Sequence, residues 1–192
     1  AMITGEYYFG PWNGELLIEP ERGTLATVLQ KDGYKTGYFG KWPLGWGHNH
    51  KGRKYRADID WNRPLPAGVL ESGFDTYFGT PFSHNESPFV YVRDRRVIGL
   101  EADDPITHIG PNEPGGAPHG KSFGGKRAHQ ARETTRIDLK VAEELSQWIE
   151  QNQNHAFFAK FSFTTFTMNG FSFSFKCFIA NKTNVFHSLK NS

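Results

Sequence analysis

Two stretches of this sequence, far apart in the chain, carry the same signals in the same order: a one-sided helix, then a strand. From about Thr134 to Gln151, Ile137, Val141, Leu145, Trp148 and Ile149 recur at spacings of three and four. That is the period of a helix with one buried face. Thr135 and Asp138 read as a variant of the capping box at its start. The run "HAFFAKFSF", His155 to Phe163, then reads as a buried strand. Nearer the N-terminus, Thr24 stands as an N-cap before a stripe of Leu25, Val28 and Leu29, and Gly33 is a natural stop. Tyr34 to Gly40 follows with strand character. Helix, short connection and strand, given twice, restrict the chain to a layered α/β architecture.

Between these units the chain is loop-rich. It holds 21 glycines and 11 prolines in 192 residues, a length that suits one domain. Trp42 to Pro66 and Asp103 to Lys126 read as long loops, which in compact domains are usually functional or disordered. "PFVYVRDRRVIGL", Pro88 to Leu100, alternates and then turns at Asp94, the pattern of a hairpin. After Phe163 the composition changes. Phenylalanine, serine, asparagine and lysine dominate, and no Asp or Glu occurs after Glu150. Folded surfaces normally carry both signs of charge. The expected division is therefore residues 1–163 as the domain and 164–192 as an atypical, non-native tail. The alternative is a short aromatic hairpin that pairs with a sheet edge.

A net charge of +2 is too small to argue for nucleic acid or a membrane surface. No apolar run approaches the roughly 20 residues that span a bilayer, and no signal peptide is visible at the N-terminus. The single cysteine, Cys177, excludes an internal disulfide and a cysteine-based zinc cluster, and it reads as inert. There is no G-x-S-x-G elbow, no P-loop and no dinucleotide fingerprint.

Lys41 ends a strand in Gly-Lys-Trp. In open α/β sheets ligands bind at the carboxyl ends of strands, and a lysine there can hold a sulfate, phosphate or carboxylate. On spacing alone, a solvated lysine is the simpler reading. His48 and His50 alternate in a loop without a third ligand at a recognisable spacing. Ser83 and His84 sit in a turn after a strand, where they could touch a ligand or merely shape the turn.

Four blocks in order carry a more specific message. "TLATVLQKDGYKTGYFGKW", Thr24 to Trp42, resembles the second signature of the type I sulfatases, in the alkaline phosphatase-like superfamily. "ESGFDTYFGTPFSHN" is similar to the family's next block, and "SPFVYVRDRRVIGL" to its arylsulfatase A-type branch. "QWIEQNQNHAFFAKFSFTT" is similar to the helix and strand before the family's second histidine motif. Met2 to Gly5 resemble the end of the first signature, whose cysteine becomes formylglycine, with Glu6 where the family has arginine.

The resemblance implies a partial alkaline phosphatase-like sheet flanked by helices. It implies hydrolysis of aryl or carbohydrate sulfate esters by formylglycine and a divalent cation, usually calcium. The formylglycine cysteine and the calcium ligands have no counterpart in this chain, which reads as a fragment, inactive alone. The family is secreted, periplasmic or lysosomal. By the same resemblance Lys41 is the sulfate-contacting lysine, and Ser83 and His84 lie in the substrate turn. Pro43 stands in the place of the first histidine, and Thr167 in that of the second. Two alternatives remain: a non-catalytic module binding sulfated glycans through Arg53, Lys54, Arg56, Arg93, Arg95 and Arg96, or a phosphatase-like relative on the same fold.

Overall fold

The computed structural model describes residues 17–18, 22–47, 59–118, 120–164, 175–180 and 187–189. His48, His50, Arg53, Lys54, Arg56, Thr167 and Met2 to Gly5 lie outside them.

The first helix, α1 (Leu25–Lys31), starts where Thr24 closes a reciprocal cap. Thr27 N–H donates to Thr24 Oγ1 at 3.0 Å, and Thr24 N–H donates to Thr27 Oγ1 at 2.8 Å. The helix stops after Asp32, with Gly33 left-handed at φ 83°. Its buried stripe differs from the expected one. Ala26 and Leu29 face the core, while Leu25 and Val28 are exposed. A helix this short has one contact line, and the small Ala26 sets it by allowing close approach.

Strand β1 (Lys35–Gly40) is central, and it pairs in parallel with β2 (Thr76–Gly79) and β7 (Phe157–Ser162). Beyond β2 lies the expected hairpin, β3 (Val92–Arg93) and β4 (Arg96–Val97), which turns at Asp94 with φ 53°. The Asp94 carboxylate accepts from Tyr77 N–H at 2.9 Å, and this ties the turn to β2. Beyond β7 come β8 (Phe175–Ala180) and β9 (His187–Leu189), both antiparallel. The described strands make a seven-stranded sheet in the order β4-β3-β2-β1-β7-β8-β9. The sheet therefore continues past residue 163 into β8 and β9. No described helix is long and apolar enough to cross a membrane.

Period-2 alternation sends successive side chains to opposite faces. Tyr38, Tyr77 and Phe158 join the core shared with α1 and the 59–74 segment. Phe39, Phe78 and Phe157 join a second core under α3 (Ile137–Asn152), which contributes Ile137, Val141, Leu145 and Trp148. Both faces of the sheet are therefore covered, as parallel strands require.

Two expectations need correction here. The second long loop contains a small two-stranded sheet, β5 (Thr107–Ile109) and β6 (Lys121–Phe123), before α2 (Lys126–Ala131). Strands of three residues are too short to show a period. The expected capping box of Thr135 and Asp138 is absent. A 3₁₀ turn covers Thr134–Arg136, Arg136 stands at the N-cap position, and no side chain caps the helix. Asp138 instead bonds a distant residue, as shown below.

Arg93 and Arg95, which the sequence offered as glycan-facing cations, meet the protein's own carboxylates. Arg93 pairs with Glu144 at 2.8 Å, and Arg95 makes a close ion pair with Glu71. Burial alone would raise both carboxyl pKa values. Hydrogen bonds from Gly68 N–H and Arg95 to Glu71, and from Arg93 and Lys140 to Glu144, outweigh it and hold both below the ordinary 4.5. The unfolded chain then binds more protons as pH falls through that value, so stability falls with it. We expect the melting temperature to drop between about pH 5 and pH 3, and the double change Glu71→Gln, Glu144→Gln to flatten that limb in a pH series of thermal melts.

Candidate active site

At the carboxyl end of β1 the chain turns out of the sheet at Lys41. The backbone there is held on two sides. Lys41 N–H donates to Ser162 O on β7 at 3.2 Å, and Trp42 N–H donates to Thr80 O after β2 at 3.0 Å. Trp42 is fully buried, and its indole N–H donates to Gly45 O at 2.7 Å. The loop is thus anchored by its tryptophan, and the lysine beside it cannot drift into solvent. Lys41 is 6% exposed, so the solvated reading does not hold.

Its ammonium shares a small electrostatic neighbourhood. Burial lowers the Lys41 pKa below the usual lysine range, and the like charge of Lys160 adds to this. Glu86 and Asp138 pull in the other direction. Lys160 lies in β7, is 7% exposed, donates to Tyr38 Oη at 3.1 Å, and sits 4.3 Å above that ring. Tyr38 Oη donates in turn to Lys41 O at 2.7 Å. A buried hydrogen-bonded chain therefore runs from Lys160 through Tyr38 to the backbone that carries Lys41.

The turn after β2 lies at the same end of the sheet, because β1 and β2 run in parallel. Glu86, buried, accepts from Ser83 N–H at 3.0 Å and donates its own N–H to Ser83 O at 3.0 Å. This closes the turn that presents Ser83 and His84, both half-buried. The His84 ring meets Thr164 O at 3.0 Å through Nδ1. A carbonyl only accepts, so Nδ1 carries the proton. Arg132, buried against Phe89, donates to His84 O at 2.7 Å. Burial lowers its pKa too.

Thr164, just past β7, is held by Asp138. The carboxylate accepts from Thr164 N–H at 2.8 Å and from its hydroxyl at 2.7 Å. This is why Asp138 does not cap its own helix: its oxygens secure the end of the neighbouring strand.

The structure places Lys41, Ser83 and His84 at one end of the sheet and adds Lys160, Glu86, Asp138 and Arg132 to their surroundings. One of these additions had a visible signal. Lys160 is a charge inside the apolar run "FFAKFSF", an unusual place unless something holds it. Pro43 sits two residues from Lys41, half-buried, with no ring nitrogen to exchange a proton. Cys177 is buried, and burial pushes its thiol pKa up. Among the described residues, no group of three or more His, Cys, Asp or Glu is placed to hold a metal ion.

The sulfatase family model matches residues 5–165. The chain belongs to the sulfatase family. Among its relatives is an N-acetylgalactosamine-6-O-sulfatase of Bacteroides thetaiotaomicron, 34% identical over 56% of this chain and 21% of the relative. Another is human arylsulfatase G, 44% identical over 32% of this chain and 9% of that protein. A solved structure described under the metabolism of multiple glycosaminoglycans by Bacteroides thetaiotaomicron superposes with a TM-score of 0.69. Its sequence is 26% identical, and the match covers 88% of this chain and 40% of that one. This chain therefore spans a minor part of the length of the sulfatases it matches. The likeness supports the expected α/β sheet with flanking helices.

Proposed function

We propose that this chain supplies the sulfate-holding corner of a sulfatase acting on aryl or carbohydrate sulfate esters. Lys41 contacts the sulfate oxygens, and Ser83 and His84 lie on the substrate side. The observation that carries this reading is the burial of Lys41 at the carboxyl end of the central strand, inside the matched family segment. A desolvated ammonium, backed by Lys160, is a strong point charge for an anion. The relative named for N-acetylgalactosamine-6-O-sulfatase makes a 6-sulfated hexosamine the first ligand to try.

Turnover by this chain alone is not part of the proposal. Proline at position 43 cannot serve as acid or base, and loss of one member of a catalytic unit removes most of its rate. Family membership implies a divalent metal and formylglycine. The ion pairs of Arg93 and Arg95 weigh against the hairpin as a glycan surface, so the strand end at Lys41 is preferred.

The test uses the purified chain with 4-nitrophenyl sulfate and 6-sulfated N-acetylgalactosamine, with and without calcium. We expect binding of the sulfated sugar by calorimetry and no release of sulfate. Release of sulfate would overturn the inactive reading. Tighter binding of the matching phosphate ester would favour the phosphatase-like relative. Binding of neither ester would remove the site assignment.

A further inference from the structure

A second cluster of reactive groups shares no side chain with the Lys41 site. His129 in α2 meets Gly125 O through Nδ1 at 2.8 Å and Ser122 Oγ through Nε2 at 3.0 Å. The carbonyl oxygen can only accept, so Nδ1 carries the proton and Nε2 presents a lone pair to Ser122. The Ser122 hydroxyl therefore donates to Nε2. Ser87 Oγ donates to Ser122 Oγ at 2.7 Å. The result is a one-way chain: Ser87 to Ser122, Ser122 to His129, and His129 to the Gly125 carbonyl.

The surroundings hold this chain in place. Gly125 is left-handed at φ 59°, and a Cβ there would stand 2.4 Å from Ile106 Cγ1. Asp104 accepts from the N–H groups of Gly125 and Lys126 at 2.9 and 2.5 Å, which fixes the loop whose carbonyl orients the imidazole. Ser122 is paired in register with His108 across the small β5–β6 sheet. Ser87 is buried, whereas Ser122 and His129 are half-buried.

We propose that Ser122 is a nucleophile with His129 as its general base, forming an acyl-transfer site for small activated carboxylic esters. A serine becomes reactive when an adjacent base, itself oriented by a third group, can take its proton. Here the orienting group is the Gly125 carbonyl. Ser122 Oγ attacks the ester carbonyl carbon as its proton passes to His129 Nε2. The carbon–oxygen bond to the alcohol breaks, and Nε2 returns the proton to the departing alkoxide. Water, deprotonated by the same Nε2, then attacks the acyl-serine carbon; the carboxylic acid leaves and the proton returns to Ser122 Oγ. The Ser87 hydroxyl lies next to the nucleophile, where it can donate to the oxyanion of each tetrahedral intermediate. Carboxylic esters suit the site because their leaving alkoxide needs only the proton that His129 has just accepted.

The test treats the full chain with a fluorophosphonate probe. Serine oxygen displaces fluoride at phosphorus and leaves a stable adduct that peptide mass mapping can place. We expect the adduct on Ser122. In His129→Gln, which can still accept from the hydroxyl but cannot take its proton, labelling should slow by about 100-fold or more, the usual scale of general-base assistance. Circular dichroism of the variant confirms that it is folded. An unlabelled Ser122 in the wild-type chain, or labelling no faster than at other serines, would overturn the proposal without any variant. Equal labelling rates in wild type and a folded His129→Gln would do the same.

Discussion

Replacing Gly40 by alanine is expected to destabilise the chain by about 2–5 kcal/mol, a large share of the roughly 5–15 kcal/mol that holds a domain together. Two terms add. Gly40 has φ 116°, where an L side chain is strained. Its Cβ would also lie 1.8 Å from Ser162 O on β7, a backbone atom of the neighbouring strand that cannot swing aside. On the other side, a Cβ on Gly79 would lie 1.8 Å from Gly40 O, so β1 is pinched between β7 and β2 at this level. Gly33→Ala is the matched control. Gly33 has φ 83° but nothing within 4 Å of its Cβ position, so only the conformational term applies, about 1 kcal/mol. Urea melts of both variants measure the difference. A Gly40→Ala cost no larger than that of Gly33→Ala would mean that the strands part easily at the site. Because Lys41 follows directly, the folded fraction of Gly40→Ala should also bind sulfated ligand poorly.

Lys41→Met should weaken binding of the sulfated hexosamine about 30-fold or more, as expected when one partner of a desolvated charge pair is lost (about 2 kcal/mol upward). The same change should leave the melting temperature at pH 7 unchanged or raise it. Burial lowers the Lys41 pKa even with Glu86 and Asp138 nearby, so the fold carries a net penalty for the charged form. The sign follows from proton counting. Between the folded pKa and the ordinary 10.5, the unfolded chain holds more protons, so wild-type stability rises with pH across that window. Methionine has no proton to bind, and the variant should lack that rise. Opposite signs for binding and stability separate a lysine kept for an anion from one kept for structure. A fall in both, with the alkaline rise intact, would make Lys41 a structural group.

Much of this was readable residue by residue. The cap at Thr24, the stop at Gly33, the strand to Gly40, the turn at Asp94 and the inward face of α3 rest on short-range rules, and each has its counterpart. Local rules failed where a contact came from elsewhere. Asp138 looked like a helix cap because its own helix was the only neighbour visible; Thr164, 26 residues on, claims its oxygens. Leu25 and Val28 looked buried because any apolar triplet fits a short helix; the sheet selected the face with Ala26. Lys41 was legible as a motif residue, but its burial was not.

The sequence by itself determined the α/β class, the family and the lysine at the end of the central strand. Those properties live in periods of two and 3.6 and in a contiguous motif, and a chain carries them whatever it packs against. Only the tertiary structure decided what surrounds that lysine. Lys160 reaches Tyr38, 122 residues away, because β1 and β7 pair in parallel with Tyr38 opposite Lys160. Glu86 and Asp138 arrive from a turn and a helix that no local pattern links to position 41. An ammonium in water and a buried one are the same residue in the sequence. They differ in the solvent and charges around them, and those are set by how the strands are ordered in the sheet.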